Sequence, residues 1–287
     1  MINCFFVSDL HGNTERYEKL FNEIKNENPE LVFLGGDLFP SGKFHFTSSK
    51  NLPKEFINNF LITRLLKLKS ELKEKYPKLF VILGNDDAKA EEQQIMQAEE
   101  LGVWEYIHFK VSEYKNYKIF GYSYTVPSPF KLKDWEKYDV SRYVDPGCIS
   151  PEEGFRTIEI SDSEKKLSTI AKDLEILTDN HNLESSIFLM HSPPYRTNLD
   201  RAALDGKMVD YAPLDVHIGS VAIKKFIIKK QPLLTMHGHV HESARITGSW
   251  KDKIGRTYCF SAAHDGKELA LIKFDLEKLS TAERILL

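Results

Sequence analysis

Short apolar runs alternate along the chain with longer stretches in which apolar residues recur every three or four positions, the alternation expected of an α/β architecture. Ile2 to Val7, Leu31 to Leu34, Leu79 to Leu83, Lys118 to Gly121, Ile187 to Met190 and Leu233 to Met236 each have the length and texture of a buried strand. Between the first two, Tyr17, Leu20, Phe21 and Ile24 fall at i, i+3, i+4 and i+7 behind Asn13, whose side chain can accept from the free N–H groups that open a helix. A longer helix is predicted from Pro53 to Lys75, carrying Phe56, Phe60, Leu61, Leu65, Leu68 and Leu72, with Pro53 suited to a first turn and Pro77 just beyond the end. Further helices are predicted over Glu91 to Glu100, Glu164 to Leu177 and Ser220 to Lys230.

After Gly238 the texture changes. Ser243 to Thr247, Arg256 to Ser261 and Glu268 to Leu276 are alternating or apolar runs separated by Gly-containing turns, which predicts antiparallel strands. Residues 125–159 hold four Pro and several aromatics without a clear period, so they are expected to form an irregular, lid-like excursion. No repeat or linker divides the chain, and residues 1–287 are read as a single domain.

Composition narrows the class. A chain of this length, 41% hydrophobic, can bury a large core without disulfides or metals as staples. Lys and Arg total 39 against 42 Asp and Glu, a net charge of −3 without long like-charged runs, which argues against a nucleic-acid coat or membrane-surface protein. Cys4, Cys148 and Cys259 lack the spacing of a zinc ribbon or a disulfide framework, and Met1 to Val7 lead straight into a polar turn, so a cytoplasmic location is expected. No apolar run approaches the ~18 residues of a membrane span.

The informative feature is where polar residues fall relative to the predicted strands. Asp9 and His11 follow the first and Asp37 the second; Asn85, Asp86 and Asp87 follow Leu79 to Leu83; His191 follows Ile187 to Met190; His237, His239 and His241 follow Leu233 to Met236. In open α/β sheets the carboxyl ends of strands gather at one edge, so residues this far apart in sequence can converge. Each piece alone also has a plain reading: Asp-x-His as an Asx-turn, Gly-Asn-Asp-Asp as a turn with a helix cap, His191 as a satisfied loop histidine. His237-Gly-His-Val-His is more specific, because residues i and i+2 of an extended segment share a face.

Taken in order, Asp-x-His, Gly-Asp, Gly-Asn-x-Asp, His and Gly-His-x-His resemble the calcineurin-like metallophosphoesterase superfamily, and Ser8 to Asn13 and Gln231 to Ser243 resemble a bacterial branch of it. The resemblance implies a four-layer α-β-β-α sandwich of two mixed sheets. It also implies a first metal ion held by Asp9, His11, Asp37 and His241 and a second by Asp37, Asn85, His191 and His239, with Asp37 shared. Mixed oxygen and imidazole ligands suit divalent Mn, Fe or Zn, and such a pair generates a bridging hydroxide for attack on a phosphate ester, as a phosphodiesterase or a phosphatase does. The chain departs from the pattern in two places. The residue after Gly-Asn, usually the histidine acid, is Asp86, and a carboxylate beside cations is held ionised and donates a proton poorly. Where relatives often carry Asn-Pro-Gly, this chain has Ser261 to Gly266, whose His264 is a candidate substitute acid as well as an ordinary loop histidine. A non-catalytic or weakly active metal-binding scaffold is therefore the alternative, which the complete ligand set disfavours.

The expected partner is a small phosphoester, a nucleotide among the candidates, with no membrane and with long nucleic acids disfavoured by the charge balance. Tyr122, Tyr124, Phe130, Trp135 and Tyr195 are candidate base-stacking residues, with ordinary packing as the plainer reading, and Arg196 is a candidate phosphate clamp. Oligomeric state is not legible.

Overall fold

The computed structural model describes residues 1–287. The first layers come from β1 (Asn3–Val7), α1 (Thr14–Glu27), β2 (Leu31–Gly35), a long helical segment and β3 (Lys78–Ile82). That segment is α2 (Leu52–Glu55), a π-helical stretch (Phe56–Ile62) and α3 (Thr63–Leu72) in unbroken succession. It stops at Lys73, whose φ of 52° leaves the helical region. There follow α4 (Glu92–Glu100), β4 (Glu105–Tyr106), β5 (Val111–Tyr114), β6 (Tyr117–Tyr122), α5 (Asp162–Leu167), α6 (Ile170–Leu177) and β7 (Ser186–Met190). The chain closes with β8 (Met208–Val209), β9 (Ala212–Pro213), α7 (Val221–Lys230), β10 (Leu234–His237), α8 (Ser243–Thr247), β11 (Lys251–Ile254), β12 (Thr257–Ser261), β13 (Ala270–Asp275) and β14 (Glu283–Leu286).

Two six-stranded mixed sheets result, ordered β14-β13-β1-β2-β3-β4 and β11-β12-β10-β7-β6-β5, and β8 and β9 form a small separate ribbon. Strand alternation sorts the core. Phe6, Phe33 and Phe80 stand in register across β1, β2 and β3, and they share one cluster with Ile119, Ile187, Leu189, Leu234 and Met236 of the other sheet. The intervening residues, among them Phe5, Val32 and Val81 on one sheet and Phe120 and Phe188 on the other, pack instead with the helices. One face of each sheet thus meets the other sheet and the opposite face meets helices, the four-layer sandwich.

Three expectations are corrected. Ser243 to Thr247 is not a strand but the short helix α8, because Gly248 at φ 73° closes it and donates its N–H to the Ala244 carbonyl. The helix expected over Glu164 to Leu177 is two, since Thr169 adopts extended backbone and caps α6 through the Lys172 N–H. The strand at 257–261 is not simply antiparallel: β12 runs parallel to β10 and antiparallel only to β11. No helix is long and apolar enough to cross a membrane.

Residues 125–159 contain no regular element. Asp134 accepts from the Lys89 N–H and Thr157 Oγ1 from Ala90, tying the excursion to the loop after β3. Asp139 accepts from Ser220 Oγ and the Val221 N–H at the start of α7. Inside it, Lys133 and Glu136 form an ion pair at 2.5 Å with both side chains 0% exposed. Of the candidate stacking aromatics, Tyr122, Tyr124 and Trp135 are buried around His108, which excludes them as a base platform, whereas Phe130 is exposed.

Candidate metal centre

The parallel strands of both sheets end at one edge, and the loops that follow are laced together there. Asp9 N–H bonds the Gly36 carbonyl, His11 N–H the Asp37 carbonyl and Gly238 N–H the His191 carbonyl. The His239 N–H donates to Asp9 Oδ1 at 3.0 Å, joining the two sheets through a site residue. Close approach explains the glycines: a Cβ on Gly84 would collide with the Asp37 carboxylate, and one on Gly36, at φ 92°, would lie 2.6 Å from His191 Nδ1. Asp9, His11, Asp37 and His239 all adopt left-handed backbone, with φ between 46° and 75°. Such strain in non-glycine residues concentrates at functional sites.

Asp9, His11, Asp37 and His241 bring one ligand atom each to within 4.8 Å of one another. His241 Nε2 is 3.1 Å from Asp9 Oδ1, and the Nε2 atoms of His11 and His241 face each other at 3.2 Å. Beside them, His191 Nε2 lies 3.3 Å from Asp37 Oδ2 and 3.2 Å from Asn85 Oδ1, and His239 Nδ1 lies 2.7 Å from the same Asn85 oxygen. His191 Nδ1 bonds the Gly35 carbonyl at 2.8 Å, which fixes the proton there and leaves Nε2 to the cluster. The structure thus brings all seven sequence-predicted ligands together in two adjoining groups that share Asp37.

Carboxylates and imidazoles shift one another strongly at this edge. Burial opposes charge on His11, yet the carboxylates of Asp86, Asp37 and Asp9 outweigh it and push the imidazole up to about 9. His191, wholly buried, is also raised to about 9 by Asp37 and Asp9. Burial resists ionisation of Asp9 and Asp37 too, but the surrounding imidazoles hold Asp9 far below the usual carboxylate range and Asp37 at about 2. Burial and the neighbouring His191 push His239 down to about 4, where the neutral ring has a free lone pair. Facing imidazole nitrogens between ionised carboxylates fit a borderline divalent ion in ligand type and in charge.

Asp86 and His264, the two further candidates for the site, are placed differently. Asp86 stands at the cluster edge: its Oδ2 is 3.3 Å from His11 Nδ1, its Oδ1 accepts from Ser41 Oγ, and its N–H donates to Asp37 Oδ1 at 2.7 Å. His264 is in the loop after β12, and its Nε2 pairs with Glu268 at 3.1 Å rather than with any ligand. Other contributors support the cluster without having been assigned a role from the sequence. Ser8 Oγ donates to Asp9 Oδ2, and Arg16 reaches back from α1 to the Asp9 carbonyl at 2.8 Å. Asp87 is fully buried and accepts from the N–H groups of Leu38, Phe39 and Gly84, stapling the two ligand loops; burial, then the nearby Asp37 charge, raises it to about 7.

Residues 2–243 match the model of the calcineurin-like phosphoesterase family. No curated protein matches the sequence. Among solved structures, TT1561 of Thermus thermophilus is 15% identical and superposes with a TM-score of 0.57 over 99% of this chain and 98% of that one. A dimetal phosphatase from Danio rerio is 11% identical, with a TM-score of 0.50 over 95% and 91% of the two chains. These likenesses speak for the fold, and the sequence match speaks for descent: the chain belongs to the calcineurin-like phosphoesterase family, the metallophosphoesterases that hydrolyse phosphoric esters.

Proposed function

We propose that the protein is a dinuclear metal-dependent hydrolase of small phosphate esters, nucleotides among the candidate substrates. The observation that carries this reading is the meeting of Asp9, His11, Asp37 and His241 at one point, with Asn85, His191 and His239 against the same Asp37 carboxylate. Asp9, His11, Asp37 and His241 would hold one ion, and Asp37, Asn85, His191 and His239 the other. When bound, such a pair supplies Lewis acidity toward a phosphoryl group and ionises water near neutral pH.

The chain's own residues arrange the rest. Asp86 holds His11 through Nδ1, so that Nε2 faces His241; we assign it the orientation of that ligand. Ser8 and the His239 N–H do the same for Asp9. To the excursion at 125–159, fastened to the loop after β3 and to the start of α7, we assign the setting of substrate preference. The test is turnover of p-nitrophenyl phosphate and bis-p-nitrophenyl phosphate by protein supplied with Mn, Fe or Zn. Metal-dependent hydrolysis that is lost in Asp37→Asn supports the reading; its absence with every ion contradicts it.

A further inference from the structure

Resting on that reading, we infer that His217, oriented by the buried Asp200, is the proton donor to the leaving group. The chain lacks an imidazole at position 86, and the loop between β7 and α7 supplies one held in the manner of a catalytic dyad. His217 Nδ1 lies 2.9 Å from Asp200 Oδ1, and Asp200 is wholly buried while the His217 side chain keeps 27% of its surface exposed. With Nδ1 turned onto the buried carboxylate, Nε2 is the ring nitrogen that makes no hydrogen bond within the chain. The Asp200 carboxylate holds the ring by Nδ1 and fixes its orientation, as a carboxylate does for an acid–base histidine.

The surroundings hold this ring in place. Asp200 also accepts from the N–H groups of Arg196, Thr197 and Gly219, which fixes the loop around it. The His217 N–H donates to Asp215, whose other oxygen takes the Tyr195 hydroxyl, and the Tyr195 ring stands edge-on to His217 at 6.2 Å. Arg196, in left-handed backbone at φ 52°, stacks over Tyr195 and pairs with no carboxylate, leaving a guanidinium beside the dyad for an anionic substrate.

The position follows from the backbone. His217 bridges Arg201, whose N–H bonds Ser243 two residues after His241, and the Ala203 N–H bonds Glu242, the residue next to that ligand. On the other side Ser220 N–H bonds the Pro193 carbonyl, two residues after His191. The loop bearing His217 therefore abuts the loops that carry His191 and His241, one from each ligand group.

In the step assigned, a water oxygen bonds to phosphorus as the ester P–O bond breaks, and the bond's electron pair goes to the leaving oxygen. That oxygen takes the proton from Nε2 of the imidazolium, so the alcohol leaves neutral. The proton lost by the attacking water restores the imidazolium by way of solvent.

The experiment compares wild type, His217→Ala, His217→Gln, Asp200→Asn and His264→Ala over phosphate esters of graded leaving-group pKa, from p-nitrophenyl to alkyl, with metal content measured for each. His217→Ala is expected to lower the ratio of alkyl to p-nitrophenyl rates by about 10²-fold or more, within the range general acid catalysis supplies. Imidazole added to His217→Ala should restore alkyl ester hydrolysis, a rescue that a merely structural histidine would not show. Asp200→Asn should steepen the leaving-group dependence in the same direction, and His217→Gln should behave as His217→Ala does. An equal loss on every ester, no rescue by imidazole, or a steepened dependence only in His264→Ala would overturn the assignment. Failure of wild type to hydrolyse even the p-nitrophenyl ester would instead contradict the hydrolase reading itself.

Discussion

The carboxylate of Asp86 touches His11 Nδ1 and Ser41 Oγ at once, so its loss frees an imidazole whose other nitrogen faces His241. Asp86→Ala should therefore weaken binding at the His11 site by about 10–100-fold, the usual cost of losing a partner behind a ligand. Metal titration followed by calorimetry checks this, and unchanged affinity would assign Asp86 another task. The candidate ligands also predict a pH dependence. His11 and His191 are each raised to about 9, so below that pH both hold protons that a metal ion must displace. Affinity should climb as pH rises from about 6 toward 9, with protons released on binding, readable from titrations in buffers of different ionisation enthalpy. A flat profile would contradict the geometry at these two rings.

At the scale of elements, the excursion between β6 and α5 is the part whose character the sequence concealed. Charged residues in a Pro-rich stretch read as solvated, yet Lys133 and Glu136 are sealed inside, with Glu136 also accepting from Ser128. Removing one partner strands a buried charge, and Glu136→Ala should cost about 3–5 kcal/mol in denaturant unfolding, whereas Lys133→Met with Glu136→Leu should come close to wild type. A single substitution costing under about 1 kcal/mol would show that water reaches the pair. The convergence of the candidate ligands was legible for the opposite reason. Asp9, Asp37, Asn85, His191 and His239 each sit just beyond an apolar run, and the carboxyl ends of parallel strands must meet. Helix α8 was not, since Ser243 to Thr247 is too short for either period to decide and the outcome rests on Gly248. The contact between Asp200 and His217 spans a loop of no regular period, and only the folded chain brings the two together.

For the molecule as a whole, the four layers explain why a strained, charge-dense edge is tolerated. Both clusters of apolar side chains lie behind it, one between the sheets and one beneath the helices, and the left-handed turns at Asp9, His11, Asp37 and His239 hang from strands fixed on both faces. On the proposed reading this edge holds two metal ions through one shared carboxylate. Elemental analysis of stripped and reconstituted protein tests it most directly. Two ions of Mn, Fe or Zn per chain in wild type, with depletion of both in Asp37→Asn, is the expected result; wild-type protein that retains none after reconstitution would contradict it.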